Sequence, residues 1–207
     1  MSIDHVVTSG VFSLDGEDFD VDNNVWIVGD EREVVVVDAA HDAPAIAARV
    51  GDRTVTGIVL THGHNDHINA AVELARLTGA PIHLHPRDRM LWDVVYPDRA
   101  PDAALADDQV ITVAGTELRV VHTPGHAPGA VCLYAPELDV LFSGDTLFKG
   151  GPGATGRSFS SFPVILDSIK GRLLALPDGT RVLTGHGDET TIGAEAADYD
   201  AWVARGH

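Results

Sequence analysis

The sequence predicts an α/β fold of two mixed β-sheets packed together, with helices on the outer faces. Three observations predict it. Short apolar runs rich in β-branched residues recur along the chain, each of strand length. Apolar residues at helical spacing occupy separate stretches between some of these runs, while other runs follow one another directly. The chain has 207 residues, 44% hydrophobic and 22% charged, which suits one globular domain spanning 1–207. A domain of that size buries roughly 70% of the surface of its unfolded chain.

Strands are expected at 25–28, 34–37, 58–60, 118–121, 131–134, 140–142 and 182–183. Gly-Asp, Pro-Glu and Pro-Asp-Gly-Thr turn signals punctuate them. The first helix is expected over 43–50, short and Ala-rich. The second, 68–77, carries Ile68, Ala71, Val72, Leu74 and Ala75 at helical spacing and stops at Gly79. The third, 162–176, carries Ile165, Leu166, Ile169, Leu173 and Leu174 and ends before Pro177. A fourth, 194–204, closes the chain. Two stretches read as long irregular loops: 86–108, which holds Trp92 and Tyr96, and the Gly-rich 148–161. Loops of that length in a compact domain often carry function.

The charge balance narrows the partners. Asp and Glu number 31 against 14 Lys and Arg, a net charge of −17. A field of that sign repels nucleic acid and anionic membrane. No run approaches the ~20 apolar residues of a membrane span. Neither nucleic acid nor membrane is therefore expected as a partner. The single cysteine, Cys132, precludes an intrachain disulfide and reads as a buried small hydrophobe in Ala-Val-Cys-Leu-Tyr. The amino terminus lacks a basic segment followed by an apolar one, so the cytoplasm is the expected compartment.

Seven potential metal ligands carry the functional reading. His62, His64, Asp66 and His67 crowd into six positions just past the apolar run 58–60. His126, Asp145 and His186 each follow another strand-like run by a few residues. If the strands are aligned, all seven reach one sheet edge. Imidazole and carboxylate in this mix suit zinc or iron, since calcium and magnesium want oxygen ligands. Residues at i and i+2 of a loop can point into one site, so His62 and His64 pair, and His126 completes a three-histidine set. Asp66 and His67 open the next helix and face a second site, joined by His186. Asp145, with two carboxylate oxygens, is the natural bridge.

These motifs resemble the metallo-β-lactamase-fold hydrolases, and within them the glyoxalase II-like (hydroxyacylglutathione hydrolase-like) thioesterases. The resemblance rests on His62-Gly-His64-Asn-Asp66-His67, Thr123-Pro-Gly-His126, Ser143-Gly-Asp145-Thr and Gly185-His186-Gly-Asp, and runs from about residue 25 to 195. It implies an αββα sandwich with two divalent metal ions at one edge: zinc first, iron or manganese as alternatives. It implies that Asp38, at the end of Val-Val-Val-Val, supports the metal loops. It implies a small-molecule substrate, an acyl thioester of a small cellular thiol, cleaved by a hydroxide bridging the metals and oriented by Asp66. Only about 20 residues follow His186, where glutathione-specific relatives carry a further helical region.

Other residues are weighed beside these. Arg157 and Lys149, in the Gly-rich stretch after Asp145, are candidates for an anionic group of the substrate. The run Gly151-Pro-Gly-Ala-Thr-Gly156-Arg157-Ser158 imitates a phosphate-binding loop but lacks its lysine. His41 and His122 are candidates to support ligands, while His5, His83, His85 and His207 lack partners in the sequence. The competing activity is persulfide dioxygenation at a single iron. Relatives of that kind carry a Cys-Gly-Arg-Thr-Asp-Phe type segment, and this chain has Ala154-Thr155-Gly156-Arg157-Ser158-Phe159.

Overall fold

The computed structural model describes residues 1–206. Two six-stranded mixed sheets lie face to face. In the first, β1 (Ser2–Leu14), β2 (Glu17–Gly29), β3 (Glu33–Val37), β4 (Thr54–Val59), β5 (Ile82–Leu84) and β6 (Ala103–Ala104) pair in that order. In the second, the order is β14 (Thr190–Thr191), β13 (Arg181–Thr184), β10 (Val140–Gly144), β9 (Val131–Ala135), β8 (Thr116–His122) and β7 (Val110–Val113). A two-stranded ribbon, β11 (Leu147–Phe148) with β12 (Gly151–Pro152), forms a third small sheet, with Leu147 buried in the outer apolar layer of the second.

The valine run of β3 shows how the sequence builds layers. Successive side chains of a strand point to opposite faces. Val35 and Val37 pack between the sheets with Val28, Val59, Val120, Leu133 and Phe142. Val34 and Val36 pack outward, with Ile46 of α1 (Ala43–Val50) and Leu74 of α3 (Ala71–Thr78). A strand buried on both faces loses the alternation of a half-exposed one. The outer face of the second sheet gives Cys132, Leu141 and Val182 to α5 (Phe162–Ser168) and α7 (Tyr199–Arg205), through Ile165 and Trp202. Three apolar layers between four layers of structure make an αββα sandwich.

Several expectations need correction. The amino-terminal strands extend well before residue 25: β1 and β2 form a hairpin in full register from Ser2↔Gly29 to Leu14↔Glu17. Its outer half is polar and exposed, so no apolar run marks it. Asp15 and Gly16 turn it with φ of 55° and 80°, which an Asp-Gly pair adopts readily. The stretch 86–108 is not an irregular loop. It holds a 3₁₀ turn at Pro86–Asp88, helix α4 (Arg89–Val95) and β6. Trp92 is fully buried against the first sheet, and the Tyr96 hydroxyl donates toward the carbonyls of Ile68 and Asn69. The expected helix at 68–77 is two pieces, α2 (Asn65–Ile68) and α3. The closing helix is also two, α6 (Ile192–Ala196) and α7. The expected helix at 162–176 is α5 followed by a π-helical segment, Ile169–Leu173. His207 lies outside the described residues. Among the described residues, no helix is long and apolar enough to cross a membrane.

Candidate metal centre

The ends of five strands deliver the site. β3 and β4 run parallel, as do β10 and β13, so their carboxyl ends share one edge of the sandwich. Past β4 come His62 and His64, with Asp66 and His67 on α2. Past β8 comes His126, past β10 Asp145 and past β13 His186. Six of these seven side chains are buried or nearly so, and His186 is a quarter exposed.

Their donor atoms form three overlapping sets within 4.8 Å: His62, His64 and His126; His62, His67 and Asp145; and Asp66, His67 and His186. His64 Nδ1 lies 3.1 Å from His62 Nε2 and 3.0 Å from His126 Nε2. His67 Nε2 is 3.2 Å from His186 Nε2, and each is 3.3–3.4 Å from Asp66 Oδ2. Asp145 reaches across both groups: Oδ1 to His67 Nε2 at 3.3 Å, Oδ2 to His186 Nε2 at 3.4 Å and to His126 Nε2 at 3.6 Å. Tetrahedral ligands about 2.0–2.1 Å from zinc stand about 3.3 Å from one another. The observed spacing is that of ligand edges.

The protons are committed outward. His62 Nδ1 faces Thr61 Oγ1 (3.1 Å), His67 Nδ1 faces Asp38 Oδ2 (2.9 Å), His126 Nδ1 faces the Ala154 carbonyl (2.8 Å) and His186 Nδ1 faces the Asp22 carbonyl (2.7 Å). Each acceptor fixes a tautomer whose bare Nε2 looks into the cluster. Lone pairs facing lone pairs at 3 Å need positive charge between them, a metal ion or, without one, a proton on His67 or His186. The carboxylates say the same: Asp66 Oδ1 and Asp145 Oδ1 are buried without a hydrogen-bond partner. A buried anionic oxygen left so is costly unless it binds a metal. The residues present therefore fit two divalent ions.

Electrostatics follow from this crowding. Burial pushes Asp66 up, but the His67 charge, with hydrogen bonds from His186 and Asn23, outweighs it and sets the pKa at about 2. Burial and the neighbouring imidazoles hold His62 well below the ordinary histidine value, and His64 at about 3. Burial pushes His67 down, yet Asp145, Asp66 and Asp38 raise it well above that value.

Supporting residues complete the centre. Asp38 accepts from the Thr61 amide (2.7 Å), the Thr61 hydroxyl (2.9 Å) and His67 Nδ1, at a left-handed φ of 64°. That backbone conformation is uncommon for a non-glycine residue, and three hydrogen bonds hold it. His41 acts at one remove: its Nε2 meets Asn23 Oδ1 at 2.9 Å, and Asn23 Nδ2 donates to Asp66 Oδ2 at 3.0 Å. His122 instead faces the Pro128 carbonyl and stacks on His85 at 4.2 Å. Cys132 is buried, and burial pushes its thiol up to about 11, which suits a packing role. Lys149 is paired with Asp188 (2.9 Å) and Arg157 with Glu17 (2.6 Å), so a substrate anion would have to displace a partner from either.

Sequence reasoning missed Asp88. This carboxylate is fully buried and accepts from two backbone amides, Gly63 (2.8 Å) and Gly129. Gly63 separates His62 from His64, and Gly129 closes the loop carrying His126. One side chain thus ties together both loops of the three-histidine set. Burial pushes its pKa up to about 6 against those two donors. Asp88→Ala is expected to leave two buried N–H groups unpaired, at about 1–3 kcal/mol each. It should also weaken metal binding by about 10–100-fold at the three-histidine set. Thermal unfolding and a cobalt titration read the two effects. An unchanged midpoint and affinity would remove Asp88 from the centre.

Comparison with known proteins agrees with this geometry. An uncharacterized protein of Aquifex aeolicus is 38% identical over 187 residues, 84% of this chain and 89% of that protein. Hydroxyacylglutathione hydrolase GloC of Haemophilus influenzae is 32% identical over 187 residues, covering 83% and 87%. Among solved structures, BLEG-1 B3 metallo-beta-lactamase superposes with a TM-score of 0.78 at 30% identity, covering 92% of this chain and 97% of that one. TTHA1623 in a di-iron-bound form superposes with a TM-score of 0.74 at 32% identity, covering 85% and 93%. The family model described as the metallo-beta-lactamase superfamily matches residues 19–186, a span that contains all seven ligand candidates, and the chain belongs to that superfamily.

Proposed function

We propose that this protein is a hydrolase that uses two divalent ions to cleave an acyl thioester of a small cellular thiol. The observation that carries the reading is the commitment of four histidine protons outward, which turns bare nitrogens and two unpartnered carboxylate oxygens into one space. The likeness to a protein named hydroxyacylglutathione hydrolase supports the thioester class. In this reading His62, His64 and His126 hold one ion, Asp66, His67 and His186 hold the other, and Asp145 serves both. Zinc is the first candidate. The donor set suits iron as well, and a relative with two irons supports that alternative.

When bound, such ions supply Lewis acidity and allow water to ionise near neutral pH. The chain's own groups position the reactants. Asp66, whose carboxylate faces the same space, can accept a hydrogen bond from the water and orient its oxygen. The oxygen bonds to the acyl carbon, the carbon–sulfur bond breaks, and a carboxylic acid and a thiol result. A thiolate is a good leaving group, so no separate general acid is required. Lys149 and Arg157 are the cations available to an anionic part of the thiol. The expected compartment is the cytoplasm.

Chelation followed by a thioester panel tests the proposal. The purified protein is expected to cleave acyl thioesters of one or more cellular thiols, to lose that activity with a chelator, and to consume no oxygen. Oxygen uptake with a thiol persulfide and one bound iron would favour the dioxygenase. Turnover of a β-lactam alone would favour a β-lactamase.

A further inference from the structure

The metal centre adjoins a second space. A cavity of about 380 Å³ opens on the side where β1 turns into β2, and Gly63 and His64 form part of its wall. Leu91 and Val95 of α4 line it, with Leu14 from the hairpin. Val94 and Phe159 stand at it largely uncovered, 81% and 57% exposed. The polar atoms of Asn65 are already used: Oδ1 accepts from the Ser13 amide and Nδ2 donates to the Val11 carbonyl, both at 2.8 Å. Among the described residues no lysine or arginine lines the space, and an acid, Asp15, does.

We propose that this cavity receives the acyl limb of the thioester, and that this limb is an uncharged, apolar chain. The inference rests on the thioesterase reading and deepens it. Continuity comes first. His64 belongs both to the three-histidine set and to the cavity wall, so a chain attached to a carbonyl at that set has the cavity beside it. Chemistry comes second. Apolar walls with a few polar groups are the usual lining of a small-molecule site, and two large apolar side chains beside a reaction centre are left uncovered by the described residues. Charge comes third. An anionic limb would meet Asp15, and the cation that acts on Asp15, Arg157, is already paired with Glu17 at 2.6 Å. Small cellular thiols are polar or charged, so the thiol limb suits the Lys149 side, next to the His186 loop, and the acyl limb suits this one. Size comes last. A water molecule takes roughly 30 Å³ in the liquid, so the cavity holds a chain much longer than acetyl.

The test has two parts that fail separately. Metal-free protein is titrated with octanamide, an uncharged acyl surrogate, while methyl resonances are followed. Shifts are expected at Leu14, Leu91, Val94 and Val95, and they should vanish in Val94→Asp, a surface change that leaves the core intact. Absent shifts, or shifts confined to other residues, overturn the cavity assignment. Metal-loaded protein is then assayed with acetyl to octanoyl thioesters of one thiol. Each methylene that is buried is expected to raise kcat/KM by up to about fourfold, and Val94→Asp should flatten the series. A flat series in the unaltered protein overturns the acyl-limb assignment and leaves the thioesterase reading standing. Cleavage of no thioester, with the amide shifts intact, overturns the thioesterase reading and this assignment with it.

Discussion

Asp145→Ala is expected to abolish activity and to empty both metal positions, although it removes one of seven ligands. The reason is its place in the cluster. Its two oxygens lie 3.3–3.6 Å from ring nitrogens of His67, His186 and His126, which span both proposed sites. Without it, two sets of three ligands lose a shared anion. Replacing a residue that merely supports a metal ligand already costs about 10–100-fold, so loss of the bridge should exceed a hundredfold in kcat/KM. The fold should survive, because Asp145 lies at a strand end and outside the apolar layers. Gly185→Ala should imitate it, since a Cβ there would overlap Asp145 Oδ1 and crowd His67 Cε1. Elemental analysis of folded Asp145→Ala decides the matter. Full metal content with full activity would sink the two-ion assignment.

Metal loading is expected to release protons at neutral pH, and affinity should rise with pH well beyond the ordinary histidine range. Without bound metal, burial pushes His186 down, but the Asp145 charge, with hydrogen bonds from His186 to Asp145 and Asp66, lifts it to about 10. His67 is lifted well above its ordinary value in the same way. Both shifts favour the protonated form when no metal is bound, and an imidazolium cannot bind metal. His62 and His64 are depressed, so they are already neutral. Loading at pH 7 should therefore displace up to about two protons, one each from His67 and His186. Calorimetry in buffers of different ionisation enthalpy counts them. Release of none would contradict the assignment of these two histidines as ligands.

The same shifts set the stability of the metal-free protein. A raised histidine contributes stability that is full below about pH 6.5 and lost as pH climbs through its folded value, so the His186 contribution fades toward about pH 10. A depressed histidine does the reverse. The His64 contribution is present above about pH 6.5 and lost as pH falls toward about 3. Thermal unfolding of metal-free protein across that range should thus show a maximum between the two losses.

Much of this centre was legible in the sequence because metal chemistry demands fixed residue types just past strand ends. Asp38, His62, Asp145 and His186 each follow an apolar run, and parallel strands bring their carboxyl ends together. The hairpin of β1 and β2 was not legible, since its outer half faces water on a polar sequence and its partner strand supplies the order. Helix α4 was hidden by a short segment between Pro86 and Pro97, where the apolar period has room for two turns. Asp88 was hidden for another reason. Its role is to accept two amides distant in sequence, Gly63 and Gly129, and only packing brings them together. Arg157 read as a candidate for an anionic substrate group, but its guanidinium lies over the Phe19 ring at 4.8 Å and pairs with Glu17, both on the hairpin that the sequence concealed.

If the seven side chains hold two ions and the pair hydrolyses a thioester, activity must track the second ion. Zinc is titrated into metal-free protein under anaerobic conditions while acyl thioester cleavage is followed. Cleavage should rise with added metal and reach its plateau at two equivalents without oxygen. A plateau at one equivalent, or activity that appears only when oxygen is admitted, would contradict it.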